Sequence, residues 1–190
     1  MTLQLYGVVR ADHPRAPRVV CWEDLAMVVG EAPAEPDPAR HLSVVSALVE
    51  GGPVLPVRFG TVAESEDLVR TEVLAPAAGR YRADLERLDG LAEVHVCLRF
   101  TGPGSAWRAA RSDVLLAEVA ERAYDSVSLP AGEHADERWA FLVGMGDLLV
   151  VRDTVAGVGH DGDVHADWVG PLPAYSFLDR RSGICSRWGW

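Results

Sequence analysis

The sequence predicts an α+β protein of two small domains, and three observations predict it. Residues 93–100 alternate strictly, Val94, Val96, Leu98 and Phe100 against Glu93, His95, Cys97 and Arg99, which is the period of a strand with one buried face. Leu42, Val45, Leu48 and Val49 form an apolar stripe at helical spacing. Asp89-Gly90 is a turn that divides the chain into halves, each carrying strands and helices.

The elements follow in order. Leu3, Leu5 and Val9 sit at alternate positions, and Val19-Val20 and Val28-Val29 are short β-branched runs, so two or three strands open the chain. Asp37 is placed to cap a helix with Pro38 at its first position, and Gly51-Gly52 supplies the stop. A short strand is expected over Val54 to Phe59, where Pro56 removes a ladder donor and argues for an edge. Thr61 and Glu64 stand at capping-box spacing for a helix interrupted near Pro76, which resumes with Tyr81, Leu85 and Leu88 on one face.

Beyond the alternating strand, Ser105 is expected to cap a helix whose apolar face runs from Trp107 to Ala123. Leu129 to Glu137 is polar and turn-rich, Trp139 to Val143 reads as a strand, and Leu148, Val151 and Val155 suit a helix or a further extension. Val164, Ala166 and Trp168 alternate in a closing strand. With a hairpin strand before Trp139 left open, the second half has a modified ferredoxin-like order. The expected division is 1–90 for an N-terminal mixed α+β domain, 91–170 for the ferredoxin-like domain, and 171–190 for a C-terminal strap and tail.

Composition narrows the partners. The 28 acidic against 18 basic residues give a net charge of -10, a field that repels nucleic-acid phosphates and anionic headgroups. Every one of the basic residues is arginine, so lysine chemistry is excluded. Cys21, Cys97 and Cys185 have no framework spacing, which suits a reducing cytosol. No apolar run approaches the ~18 residues of a membrane span, and Met1 to Arg10 does not resemble a signal peptide. The expected location is cytoplasmic.

Catalytic and metal-binding patterns are weak. His160-Asp161-Gly162-Asp163-Val164-His165 is dense in donors but lacks a helical His-x-x-x-His pattern, and a solvated turn before a strand explains it equally. His95 and Cys97 share a strand face, as any residues two apart do. Gly102-Pro103-Gly104-Ser105 has neither the Walker A lysine nor dinucleotide-fold spacing, and Glu64, Glu66 and Asp67 suit the first turn of a helix. No catalytic residue, cofactor or metal is assigned. A small-molecule enzyme or ligand-binding protein on the ferredoxin-like sheet, using His95, Arg99 or the His160 to His165 loop, stands as the alternative.

Two segments carry more. Val54-Leu55-Pro56-Val57-Arg58-Phe59-Gly60-Thr61-Val62 and Gly170-Pro171-Leu172-Pro173-Ala174-Tyr175-Ser176-Phe177 together resemble the gas vesicle GvpL/GvpF family. The first matches that family's Leu-Pro-x-Arg-Phe-Gly-Thr run, and His41 stands where members commonly carry a histidine. The second is similar to its Gly-Pro-Trp-Pro-Pro-Tyr-Ser-Phe signature, with Leu172 in place of the tryptophan and Ala174 in place of a proline. Leu5 to Val9, Leu25 to Val29 and Ala140 to Val143 fall in the family's order.

The resemblance implies an accessory protein of gas vesicle formation, not an enzyme, that binds the apolar shell protein GvpA and other Gvp proteins. It either leaves after assembly or stays as a minor vesicle component. Arg58 is either a buried guanidinium or a partner anchor, and its apolar neighbours Val57 and Phe59 favour the first. Tyr175 and Phe177 can latch a proline-stiffened strap or form a recognition surface. Arg180, Arg181, Arg187, Trp188 and Trp190 make a cationic, aromatic tail on an acidic chain. Arg58, Phe59, Tyr175, Phe177 and these tail residues are the partner-binding candidates.

Overall fold

A computed structural model describes residues 2–35, 37–101, 104–132, 135–158 and 163–178. The chain forms two compact units, one of residues 1–90 with 173–190 and the other of residues 91–172.

The first unit is built on a sheet of β1 (Leu3–Arg10), β2 (Val19–Trp22), β3 (Leu25–Glu31) and β4 (Leu55–Pro56), in the order β2-β3-β1-β4, with β5 (Val62–Ala63) also pairing β1. All of these pairings are antiparallel. β1 is central and buried from Leu3 to Val9, so it reads as a nearly continuous apolar run rather than an alternating one. Its register slips between Leu5 and Gly7, leaving Tyr6 as an extra residue on the strand. A Cβ at Gly7 would stand 2.8 Å from Val54 Cγ2 and 2.9 Å from the Leu55 carbonyl oxygen. Glycine at this position therefore lets β4 close on the central strand.

Helix α1 (Pro38–Val49) begins as its sequence requires: Asp37 Oδ1 accepts from the Arg40 amide at 3.0 Å, with Pro38 in the first turn. Its buried stripe is His41, Val45, Leu48 and Val49, so Val45, Leu48 and Val49 lie as expected while His41 takes the place of Leu42, which is 46% exposed. The helical interval after β5 is continuous. α2 (Glu66–Leu68) runs through a π-helical stretch, Val69–Leu74, into α3 (Ala75–Arg87). Pro76 lies in the first turn of α3, and the wider π turn just before it absorbs the missing amide where an interruption was expected. Ser65 caps α2 by accepting from the Leu68 amide at 3.2 Å, so the capping box expected of Thr61 and Glu64 does not form.

The second unit has the order β6 (Leu91–Phe100), α4 (Ser105–Ala120), β7 (Ala123–Leu129), β8 (Glu137–Gly144), α5 (Leu148–Val158) and β9 (Val164–Leu172). Its antiparallel sheet runs β7-β8-β6-β9, the full ferredoxin-like arrangement. The hairpin strand left open in the sequence is β7. Ala123, expected on the helix, instead starts this strand, because the helix ends at Ala120. Ser105 is the first helical residue rather than the cap, which falls to Gly104 at φ 85°. Val94, Val96, Leu98, Phe141, Val143, Leu115, Val119, Val151 and Val155 make the core beneath the two helices.

Candidate functional site: a buried histidine between two motifs

The two segments singled out in the sequence meet on the side chain of His41. The Leu55 to Thr61 segment is held to β1 by backbone bonds, Val57 amide to Tyr6 carbonyl and Leu5 amide to Thr61 carbonyl, both at 3.0 Å. Between these anchors the chain turns rather than continuing as a strand. The Thr61 amide and hydroxyl both donate to the Arg58 carbonyl, at 3.2 and 2.6 Å, and Gly60 takes φ 83°. This is the geometry of a type II turn with glycine at its third position.

The turn overturns the buried reading of Arg58. The β-pairing of this segment stops at Pro56, Arg58 is exposed, and its guanidinium meets no partner among the described residues. Phe59, next in the turn, is 37% exposed and sets the edge of its ring against His41, with centroids 5.5 Å apart and planes at 77°.

His41 is 3% exposed. It reaches this position because it lies one turn ahead of Val45 on the buried face of α1. Tyr6, the extra residue of the β1 irregularity, stacks on His41 with ring centroids 5.3 Å apart and planes at 28°. Gln4 Nε2 approaches Nδ1 at 3.4 Å, and Tyr175 Oη approaches Nε2 at 3.5 Å. Each ring nitrogen thus faces one polar side chain. Burial pushes the His41 pKa below the ordinary histidine value, against a smaller opposing effect of the Val57 backbone. The ring is therefore neutral at pH 7.

Tyr175 and Phe177 occupy a single 3₁₀ turn, Tyr175–Phe177, after buried Pro173 and Ala174. Phe177 is 9% exposed, and its carbonyl accepts from Arg87 Nη2 at 3.0 Å, which fixes the turn to the end of α3. The pair thus divides, Tyr175 toward His41 and Phe177 into the packing. Pro171 and Leu172 belong to β9. Arg180, Arg181, Arg187, Trp188 and Trp190 lie outside the described residues, as do His160, Asp161, Gly162, Gly102, Pro103 and Cys185.

Two of the groups considered for enzymatic chemistry have ionic partners on the second sheet. His95 Nε2 bonds Glu93 Oε1 at 2.5 Å, with the carboxylate 1% exposed, and Arg99 pairs with Asp167 at 3.3 Å. His165 sits opposite Arg99 on the neighbouring strand. Among the described residues no group of three or more His, Cys, Asp or Glu is placed to hold a metal ion.

An open hollow of about 580 Å³ in the first unit is lined by Arg10, Asp12, Asp24, Arg82 and Glu86, among others, and His41 is not among its lining residues. Its charges answer one another. Arg82 bonds Asp24 Oδ1 at 2.9 Å and also Glu23, the residue at φ 54° in the β2–β3 turn, and the guanidinium holds the Asp24 carboxyl below its ordinary range.

Sequence reasoning placed Phe59 and Tyr175 among the functional candidates but missed Gln4 and Tyr6, and it noted His41 from resemblance alone. The signal for His41 was present: positions 41, 45, 48 and 49 fit a helical face as well as 42, 45, 48 and 49 do. Gln4 and Tyr6 carry no such signal within the strand.

Comparison with known proteins bears on the family and the fold. Residues 3–127 match the family model described as gas vesicle synthesis protein GvpL/GvpF. A relative described as gas vesicle protein F, from Streptomyces sp. (strain CB03234), is 31% identical over 114 residues, which is 50% of this chain and 48% of that protein. The chain therefore spans about half the length of the curated relative it matches. The crystal structure of GvpF from Anabaena sp. PCC7120 superposes with a TM-score of 0.80 at 17% identity, covering 94% of this chain and 96% of that one. GvpF from Microcystis aeruginosa gives 0.72 at 15% identity, covering 94% and 99%. These two likenesses establish the shared α+β fold. With 125 of its 190 residues inside the family model, the chain belongs to the gas vesicle synthesis protein GvpL/GvpF family.

Proposed function

We propose that the chain is an accessory protein that assists gas vesicle assembly by binding the apolar shell protein GvpA and other Gvp proteins, without catalysing a reaction. The supporting observation is the surface at the His41 cluster. Phe59 at 37% exposure caps the buried ring, Leu42 at 46% follows His41 on α1, and Val62 at 46% stands opposite Gln4 in the β1–β5 pairing. Each is an exposed apolar side chain next to a member of the cluster by ring contact, sequence or strand pairing, and exposed apolar side chains suit a protein contact. Exposed Arg58 beside them supplies a cation with no partner among the described residues, suited to a carboxylate on the bound protein.

The buried side of the cluster is the rigid part. His41, Tyr6, Gln4 and Tyr175 hold the Phe59 turn in one position, which reduces the ordering cost of binding. Membership of the gas vesicle family supports the choice of partner. The cationic, aromatic residues from Arg180 to Trp190 form a second candidate contact.

The test is a co-expression pull-down of the tagged chain with GvpA, using the intact protein, Phe59→Glu, Arg58→Glu and a form ending at Leu178. Retention of GvpA by the intact chain and its loss in the Phe59 and Arg58 variants is the expected result. Loss on truncation alone would move the contact to the tail, and absence of GvpA from the intact chain would overturn the reading.

A further inference from the structure

A sheet edge is a row of backbone donors and acceptors open to another chain, and proteins ordinarily blunt such edges. In this protein three ends of the two sheets are blunted. β4 is two residues long and includes Pro56, which has no amide to offer. β2 is four residues long and packs beside the π-helical stretch, with Arg70 Nε bonded to the Cys21 carbonyl at 3.3 Å. β9 has a register irregularity opposite Glu93 and His95 and carries Pro171 near its end.

The fourth end, β7, has no proline and no short length to blunt it, and its one irregularity lies at its start. It is seven residues long, contains no proline or basic residue, and pairs with β8 alone among the described strands. Its five central residues, Tyr124 to Ser128, are all exposed, with Tyr124 at 74% and Val127 at 36%. Exposure on both faces at once places the strand at an uncovered border of the sheet. The irregularity of β7 is confined to its first residues, between Ala123 and Asp125, so the stretch from Asp125 to Leu129 keeps regular register with β8.

The chemistry of that stretch limits what can lie beside it. Asp125, Val127 and Leu129 share the face that carries Leu142, Ala140 and Arg138 on β8. The Ser126 amide donates to Asp125 Oδ1 at 2.8 Å, so an added strand must displace this carboxylate from the edge amide, which a basic side chain beside Asp125 would favour. Antiparallel pairing of two copies about Ser126 would set Asp125 of each diagonally near that of the other, on chains of net charge -10. In that register a second copy is disfavoured. Charge complementarity selects a strand with a basic residue beside Asp125 and apolar residues beside Val127 and Leu129.

We propose that the β7 edge is a second interaction site, which takes an extended segment of another protein, alternately basic and apolar, as an added antiparallel strand of the ferredoxin-like sheet. The site belongs to the second unit and does not depend on GvpA binding at the His41 surface.

The probe is a fluorescein-labelled peptide, Thr-Val-Thr-Val-Thr-Arg-Thr, capped at both ends, together with its counterpart in which glutamate replaces arginine. Fluorescence anisotropy is read with the full chain, with Asp125→Arg and with Val127→Arg, both at exposed positions and both checked for folding by circular dichroism. Saturable binding of the arginine peptide to the native chain is expected. Asp125→Arg should weaken it about tenfold and restore binding to the glutamate peptide, since an attraction becomes a repulsion. Val127→Arg should abolish binding, and amide shift changes on titration should centre on residues 123–129. Absence of saturable binding up to about 1 mM would overturn the proposal, as would equal binding by the native chain and Asp125→Arg. A dimer of the native chain that Val127→Arg dissolves would assign the edge to a second copy instead and overturn the stated partner.

Discussion

Replacing His41 by glutamine tests whether the centre of the cluster is a neutral, buried imidazole. In the unfolded chain a histidine titrates near pH 6.5, whereas burial lowers the folded value for both His41 and His13. As pH falls below about 6.5 the unfolded state takes up protons first, so stability present above that pH declines until the depressed folded pKa values are passed. Each such histidine contributes a slope of at most about 1.4 kcal/mol per pH unit in this window. The native chain should therefore lose up to about 2.7 kcal/mol per unit from these two groups. His41→Gln removes one of them, and the contribution should fall by half.

The same substitution also lowers stability at pH 7.5, where both rings are neutral. It removes the stack on Tyr6 and the edge contact with Phe59, at 5.3 and 5.5 Å, and leaves Gln4 and Tyr175 to repack around a smaller side chain. Aromatic pairs contribute about 0.5–1.5 kcal/mol each beyond burial, so a loss of about 1–3 kcal/mol is expected. Guanidinium denaturation followed by circular dichroism at pH 7.5, 6.5 and 5.5 measures both quantities. An unchanged pH slope in His41→Gln, with the expected loss at pH 7.5, would show that the ring titrates in the folded protein as it does in the unfolded chain, and would refute the reading of a buried, neutral imidazole.

Two further outcomes follow from packing. Gly7→Ala should destabilise the first unit by about 1–3 kcal/mol, because the Leu55 carbonyl at 2.9 Å is backbone and cannot move aside, and denaturation midpoints at constant slope would register it. Phe141→Ala, at 1% exposure in the core of the second unit, should cost about 3–5 kcal/mol, read as a lowered melting temperature with native-like far-UV spectra at 10 °C.

Local rules located the elements well where the chain supplies its own reasons for them. Asp37-Pro38 fixed the start of α1, and the alternation of residues 93–100 located the strand at the centre of the second sheet. One expectation failed to a tertiary effect, and one element left open in the sequence was settled by the fold. Arg58 looked like a strand residue between Val57 and Phe59, but pairing ends at Pro56 and the Gly60 turn carries the guanidinium outward. β7 was hidden because Tyr124 to Ser128 is an exposed edge, and an edge strand has no buried face to impose an apolar pattern.

The sequence by itself determined the α+β class, the family, and the two motifs in which the candidate site is written. These depend on residue order, on caps and periodicities within a few positions, and on matching runs of residues. The tertiary structure decided that Phe59 and Tyr175, 116 positions apart, both meet His41, and that Arg58 faces away from the core. The physical reason is that burial and ring contact depend on which surfaces the fold brings together. Here the selecting features were an extra residue in β1 and a glycine turn, neither of which carries a periodic mark in the chain.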